Sequence, residues 1–385
     1  MRFGSRQMIF GAIGAVAVCL MGVALAFGQA GQQQPRPQMA EDVFKNIPVL
    51  KGIPVDEFMD TMGMFSAALS MNCTDCHTSD STSAWEKFAD DTPLKQMARR
   101  MALMVNGINR NNFAGERKVT CFTCHHGDQK PKSVASLTVQ YSAPFEDPNE
   151  VDIPARGYPG TPSADQVFNK YIQAVGGAQR AAAITGFVAK GTYTGYDTDH
   201  GKVPVDIYVK APAQRTQIVH ALFGDKITVF DGRAGWFSSP DKPVPLMALT
   251  GGNLDGVRLD TVVFFPARVR ELGTQWRVGS TALDDKDVQV VQGTSNGQNV
   301  NLYFDETSGM LLRMVRFADT IVGRVPTQLD FSDYRDVNGV KMPFKIITTW
   351  TDNQTTTELT SIQANAAIDA ARFNRPAPAP PPKLQ

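Results

Sequence analysis

Four of the five cysteines, Cys73, Cys76, Cys121 and Cys124, form two CxxC pairs, and each pair is followed at once by a histidine, His77 or His125. Cys-x-x-Cys-His is the attachment pattern of a c-type haem. The spacing is geometric. Cysteines at i and i+3 lie on one helical turn, where both thiols reach the two vinyl groups along one porphyrin edge. A histidine at i+4 then brings an imidazole nitrogen under the iron. Other uses of paired cysteines fit less well. A four-cysteine zinc site sets its pairs about 15–20 residues apart, whereas 44 residues separate Cys76 from Cys121. A thioredoxin-like thiol pair has no need of a following histidine twice, and adjacent CxxC pairs make poor disulfide staples. The motifs therefore predict two covalently attached c-type haems, with His77 and His125 as proximal ligands.

The sixth iron ligand decides what each haem is for. Outside the motifs the histidines are His126, His200 and His220; His126 is too close to His125 to reach the far face of the same haem. Methionine is the better source. Met62 precedes Cys73 by 11 residues and Met101 precedes Cys121 by 20, each on an apolar helix face able to lie across the following haem. Met59 and Met64 compete with Met62, and Met104 and Met97 with Met101; all of them also read as ordinary core, because methionine is a common gap-filler. His/Met ligation raises the reduction potential and closes the iron, which suits outer-sphere electron transfer and leaves no catalytic residues to assign.

The elements that must position these residues are helical. Pro54 opens a helix whose apolar face is Phe58, Met62, Phe65 and Leu69,. Thr92-Pro93 opens a second, with the stripe Leu94, Met97, Met101, Met104 and Ile108 ending before Asn109 and Asn111-Asn112,. Each helix leads into one motif, an internal repeat. After a helix over Ala164 to Ala174 the period shifts toward two: Val205, Ile207 and Val209 alternate with polar residues, as do Val340, Met342, Phe344 and Ile346, and Asn338-Gly339 signals a hairpin,. Further strands are expected over 187–193, 217–222, 226–230, 288–292, 300–304, 311–316 and 327–331, with a helical break at 259–272.

The fold class expected is thus two domains, a mostly α di-haem c-type cytochrome followed by an α+β domain with a curved, mainly antiparallel sheet. Residues 1–30 read as a signal peptide or N-terminal anchor: Arg2 and Arg6, an uncharged run from Met8 to Phe27, then small residues suited to cleavage,. Cys19 is an apolar filler in that run. A linker follows at 31–39, the di-haem domain at 40–135, a Pro-rich linker at 136–162, the β-rich domain at 163–373, and a Pro-rich tail at 374–385. This layout places the protein in the periplasm, exported and either free or held to the membrane by the uncleaved segment.

The segment Met62 to His77, and Ala98 to Asn109 followed by Val119 to Gly127, resembles haem units of the photosynthetic reaction-centre cytochrome c subunit family. In that family a helix before each of the first three haem motifs supplies the distal methionine, so the resemblance points to Met62 and Met101. The photosynthetic subunits carry four haem motifs and this chain two, and the histidine that ligates the fourth haem in some members is missing before Cys121. The resemblance implies redox partners: a photosynthetic reaction centre or a respiratory complex, and small cytochromes. Residues 163–373 more weakly resemble the periplasmic outer-membrane lipoprotein-sorting proteins, through the opening helix, the strand meander and the closing Asp333 to Phe344. Those proteins bind acyl chains, which implies an apolar ligand, a lipid or quinone tail, for the β domain.

Charge adds a further expectation. Lys plus Arg and Asp plus Glu are each 38, which gives no support to nucleic-acid binding. Residues 41–91 carry net −7 and residues 92–132 net +6; opposite poles with Lys95, Arg99 and Arg110 on the basic side would steer two different redox partners. Two rival functions remain at this level: a di-haem peroxidase-type enzyme with one open iron, and a lipid- or quinone-binding module with redox-sensing haems.

Overall fold

A computed structural model of the chain describes residues 36–136, 147, 149, 151–154, 157, 159–242 and 244–380. Residues 1–30, where an export segment with Cys19 is expected, most of the first linker, much of the Pro-rich connector and the last five residues lie outside the described set. Among the described residues no helix is long and apolar enough to cross a membrane.

The motif-bearing region consists of α1 (Ala40–Val43), α2 (Val55–Leu69), α3 (Cys73–Cys76), α4 (Pro93–Asn112) and α5 (Cys121–His125), with two 3₁₀ turns between α3 and α4. Pro54 stands at the N-cap of α2, and Asp56 and Glu57 fill its first turn, where negative charge suits the helix dipole,. Thr92 caps α4 by accepting from the Lys95 amide at 3.2 Å, and Pro93 takes the first helical position,. The helix runs a turn beyond its expected end. Asn109 does not stop it, because its side chain turns inward to bond a later loop, and the C-cap falls at Phe113.

The second region opens with α6 (Ala164–Ala174) and α7 (Ala178–Ala183), followed by strands β1 (Gly186–Gly195), β2 (Val203–Lys210), β3 (Gln214–Ala221), β4 (Gly224–Phe230), β5 (Gly235–Ser238) and β6 (Leu246–Leu249). Next come α8 (Gly251–Val262) and a 3₁₀ turn (Pro266–Leu272). The chain then forms β7 (Thr274–Leu283), β8 (Lys286–Ser295), β9 (Gln298–Asp305), β10 (Leu311–Thr320), β11 (Gly323–Val337), β12 (Val340–Trp350) and β13 (Asn353–Ala364). All belong to one open antiparallel sheet ordered β6-β5-β4-β3-β2-β1-β13-β12-β11-β10-β9-β8-β7. Every pairing but β1–β13 joins strands adjacent in sequence, so the chain meanders to one edge and crosses by α8 to the other. It then meanders back to the middle. Asn338 and Gly339 form the β11–β12 turn with φ of 54° and 80°, a conformation these residues take cheaply.

The main core lies between one face of this sheet and the helices. Phe168, Tyr171 and Ile172 of α6, Leu259 and Val262 of α8, and Phe264 and Phe265 pack with Ile207, Leu302, Phe304, Met314, Phe331 and Met342. A cavity bounded by Tyr171, Phe264, Phe331 and Tyr334 measures about 10 Å³, room for about one water. The connector and tail are less free than their proline content implies. Ile153 is buried beside Val288, Val290, Tyr303 and Val315. The tail accepts from Ser238 Oγ at the Ala377 carbonyl (3.0 Å), and its Ala379 amide donates to the Pro245 carbonyl. Four strands escaped the sequence reading. β5 and β6 are only four residues long, β7 mixes polar and apolar positions, and β13 is threonine-rich.

The first region packs on the second through α2. The carboxylate of Asp56, 2% exposed, accepts from the Thr250 amide at 2.5 Å and from Thr250 Oγ1 at 2.8 Å. Thr250 is the N-cap of α8 and makes no capping bond with its own side chain; Asp56, from another element, takes the hydrogens of the N-cap amide and hydroxyl and so satisfies one of the unpaired donors at that helix end,. One turn on, Asn253 Nδ2 donates to Asp60 Oδ2 at 2.6 Å. Burial pushes the Asp60 carboxyl up to about 7, with Asp56 and Asp352 adding to the shift and Asn253 and Arg316 opposing it. Asp56→Ala should therefore lower stability by about 1–3 kcal/mol, read as an earlier denaturant midpoint at unchanged slope.

Candidate haem-attachment sites

Both motifs begin in the same way. Asn72 caps α3 by accepting from the Asp75 amide at 3.1 Å, while Asp75 Oδ2 accepts from the Asn72 amide at 2.7 Å. Thr120 and Thr123 make the equivalent reciprocal pair at α5, at 3.3 and 3.0 Å. Each capping box fixes the turn on which the two cysteines stand. All four thiols are free. Cys73 and Cys124 are exposed, Cys76 is half-buried and Cys121 is buried. Burial pushes the Cys121 thiol up to about 11 and raises that of Cys76, the reverse of what a thiolate redox pair requires. Nor do the pairs converge as a zinc site: among the described residues no three His, Cys, Asp or Glu side chains gather to hold a metal ion.

The motif histidines share a second feature. His77 Nδ1 lies 3.1 Å from the Phe88 carbonyl, and His125 Nδ1 lies 3.0 Å from the Asp128 carbonyl. A carbonyl only accepts, so Nδ1 carries the hydrogen and donates it, and Nε2 holds the lone pair. The ring is oriented by the same bond, the device by which metal-ligating histidines are fixed. Around His77, Phe88 packs at 4.8 Å between ring centroids and Trp85 stacks on Phe88 at 5.3 Å. Burial and the nearby Lys95 hold the His77 pKa below its ordinary value, favouring the neutral ring.

The apolar stripe of α4 is not core. Ala102, Val105 and Asn109 face inward, whereas Leu94, Met97 and Met104 are exposed, the last two by nearly half, and Met101 and Ile108 are half-buried between them. An apolar row this open on an otherwise well-packed chain marks a binding surface. Beside it, Leu69, Met71, Asp75, Leu94 and Gly127 border an open cavity of about 570 Å³, within the range of cofactor sites. The three methionines of α2 divide. Met64 is buried with Ala68, Ala102 and Cys121, while Met59 and Met62 are half-buried beside Ala40, Ile53 and Phe58. Free thiols on capped turns, lone-pair Nε2 atoms and open apolar surface together suit a porphyrin bonded through two sulfurs.

The other histidines have other surroundings. His126 takes a left-handed conformation (φ 49°) and is exposed. His200 is exposed near Tyr196. His220 Nδ1 and Nε2 lie 2.8 Å from Asp225 and 3.2 Å from Asp206, so both of its nitrogens are engaged. The two charge poles are also partly spent inside the molecule. Lys95 Nζ donates to the Phe88 and Asp90 carbonyls at 2.7 and 2.6 Å. Arg99 pairs with Asp91 at 2.7 Å and donates to the Asn46 carbonyl at 2.8 Å. Of the three basic residues expected to face a partner, these two instead hold segments beside the first motif. Arg110 remains exposed.

The resemblance to reaction-centre cytochromes holds. Residues 25–152 match the family model described as photosynthetic reaction centre cytochrome C subunit. The photosynthetic reaction center cytochrome c subunit of Thermochromatium tepidum is 36% identical over 97 residues, 24% of this chain and 23% of that protein. The subunit of Rubrivivax gelatinosus is 34% identical over 100 residues, 25% of each chain. The chain thus spans about a quarter of the length of these relatives. Among solved structures, a LolA superfamily protein from Nitrosomonas europaea aligns at TM-score 0.37 and 12% identity, over 55% of this chain and 98% of that one. A proposed outer membrane lipoprotein-sorting protein domain from Vibrio parahaemolyticus aligns at 0.36 and 9%, over 55% and 97%.

Sequence reasoning passed over several positioning residues. Thr92 Oγ1 donates to the Cys76 carbonyl at 2.5 Å, tying the first motif to the start of α4; the Thr-Pro pair signalled a cap and nothing more. Asn109 is buried, its Nδ2 donating to the Val119 carbonyl at 2.7 Å and its Oδ1 accepting from the Lys118 and Val119 amides. It splints the loop that enters the second motif. Asn109→Ala strands those loop groups and should cost about 2–3 kcal/mol. Covalent haem at Cys121 and Cys124 should fall in yield with that at Cys73 and Cys76 preserved, as peptide mass mapping would record.

Proposed function

We propose that this chain is an exported di-haem c-type cytochrome that carries electrons between redox partners and turns over no substrate of its own. Cys73 and Cys76 hold one haem and Cys121 and Cys124 the other, with His77 and His125 as proximal ligands through Nε2. Met62 and Met101 are the distal ligands, Met104 being the rival of Met101. The group supplies one-electron redox chemistry, and His/Met ligation sets it at the higher-potential end of the haem range.

The observation that carries this reading is the repeated pinning of each motif's Nδ1 to a backbone carbonyl, which leaves the same nitrogen in each motif to bind iron. The match of residues 25–152 to a cytochrome family supports it, and so does the open apolar row of α4. The donors and acceptors fitting that match are a photosynthetic reaction centre or respiratory complex and small cytochromes, met on the periplasmic side of the membrane. The residues around each motif do the protein's part: carbonyls orient the imidazoles, capped turns space the thiols, and apolar side chains keep water from the ring faces. The lipid- or quinone-binding alternative gains little from the β domain, where Phe264, Phe265 and Met342 fill the covered face and the adjoining cavity holds about 10 Å³.

An optical potentiometric titration of the holoprotein, with carbon monoxide added to the reduced form, tests this reading. Two one-electron transitions and no ready carbon monoxide uptake are expected. Met62→Ala and Met101→Ala should each open one haem to the gas and lower its potential. Opening by Met104→Ala instead of Met101→Ala would move the ligand assignment. Ready uptake by the unaltered protein would favour a peroxidase-type enzyme.

A further inference from the structure

The β10–β11 hairpin has an unusual tip. Its loop is Ile321-Val322, closed by the pair Thr320 and Gly323. Hairpin tips ordinarily carry glycine, asparagine or aspartate in contact with water. Here Val322 is 1% exposed and Thr320 fully buried. The Thr320 hydroxyl donates to the Gly323 carbonyl at 2.7 Å and accepts from the Gly323 amide at 3.1 Å, so the tip is rigid as well as apolar.

The tip is buried in the cytochrome region. Ala318, Val322 and Val325 form one core cluster with Met64 and Ala68 of α2, Ala102 of α4 and Cys121 itself, with Ile321 packed against it. A Cβ built at Gly323 would lie 2.6 Å from Met64 Cε and 3.2 Å from Thr120 Cβ. Met64 stands on the helix leading to the first motif, and Thr120 is the N-cap of the second. Arg117, in the loop between α4 and α5, meets Asp319 at 3.5 Å. The tip therefore touches the helix of one motif and the cap and buried cysteine of the other. The first motif is held differently: none of the α3 residues is buried, and its tie is the Thr92 hydroxyl on the Cys76 carbonyl.

We propose that the 318–325 hairpin is a positioning element of the second haem site, a wedge from the β domain that completes the core around Cys121 and fixes that motif against α2. This gives the β domain a task in setting the redox properties of the cytochrome region. It rests on the haem reading above. Displacing the wedge changes the packing and water access around the haem at Cys121 and Cys124, levers known to set haem potential, and leaves the haem at Cys73 and Cys76 as it was.

The test compares full-length holoproteins. Gly323 has no positive φ, so Gly323→Val acts by bulk alone, against Met64 and Thr120. It should keep two covalent haems and shift the potential of one. That haem is identified as the transition lost in a Cys121→Ser/Cys124→Ser variant. Adding Met64→Ala to Gly323→Val makes room and should return the potential toward its starting value. Val322→Ala, which trims the wedge, serves as the second probe should Gly323→Val fail to fold, and should shift the same haem. Two haems with both potentials unmoved, or both moved together without rescue, would overturn the inference. A wild-type chain without covalent haem would instead overturn the reading beneath it.

Discussion

A hydrogen bond from Nδ1 of each motif histidine to a main-chain carbonyl is the interaction on which the site depends. It decides the tautomer, and so which nitrogen offers its lone pair. It also decides the plane of the ring, and so the direction in which Nε2 offers that lone pair. The carbonyls come from different local structures, Phe88 in a 3₁₀ turn 11 residues after His77 and Asp128 only three residues after His125. Two unlike loops thus supply the same bond to the same ring nitrogen.

From those bonds the rest of the first region follows. Phe88 must be held, and Lys95 holds its carbonyl as well. Lys95 must be placed, and the Thr92 cap places the first turn of α4. Thr92 also grips Cys76, so the first motif and the second helix form one linked unit. The same economy explains why the basic surplus of residues 92–132 is a weaker docking signal than its count implies. Long cationic side chains near the motif satisfy carbonyls and carboxylates of their own chain. At the other pole, Asp56 and Asp60 are turned into the contact with α8. An acid serving as a helix cap in the interior contributes stability and register, and little long-range field.

The two CxxCH motifs were legible in the sequence because the pattern is contiguous, and the capped turns that carry them follow from the residues just before each pair. Helix starts were legible for the same reason: Thr92-Pro93 is a local signal, and the bounds expected for α6 agree residue for residue. So was the Asn338-Gly339 turn. Long-range contacts were not legible. Asn109 looks like a helix terminator until its partners ten residues on are known. Threonines 355 to 357 look like loop until β1 and β12 are seen to flank them. Gly251-Gly252 hides the start of α8, whose cap comes from Asp56, almost 200 residues earlier. The hairpin tip at Ile321-Val322 fell between two expected strands and drew no notice; only the fold shows that it is buried.

The central claim is that two porphyrins are bonded through sulfur to this polypeptide. Intact-mass spectrometry of the protein, expressed with residues 1–30 in a host that matures c-type cytochromes, tests it most directly. The account predicts the polypeptide mass plus two tetrapyrroles, with peptides spanning 73–77 and 121–125 each carrying one. The bare polypeptide mass, with all four thiols open to alkylation, would contradict it.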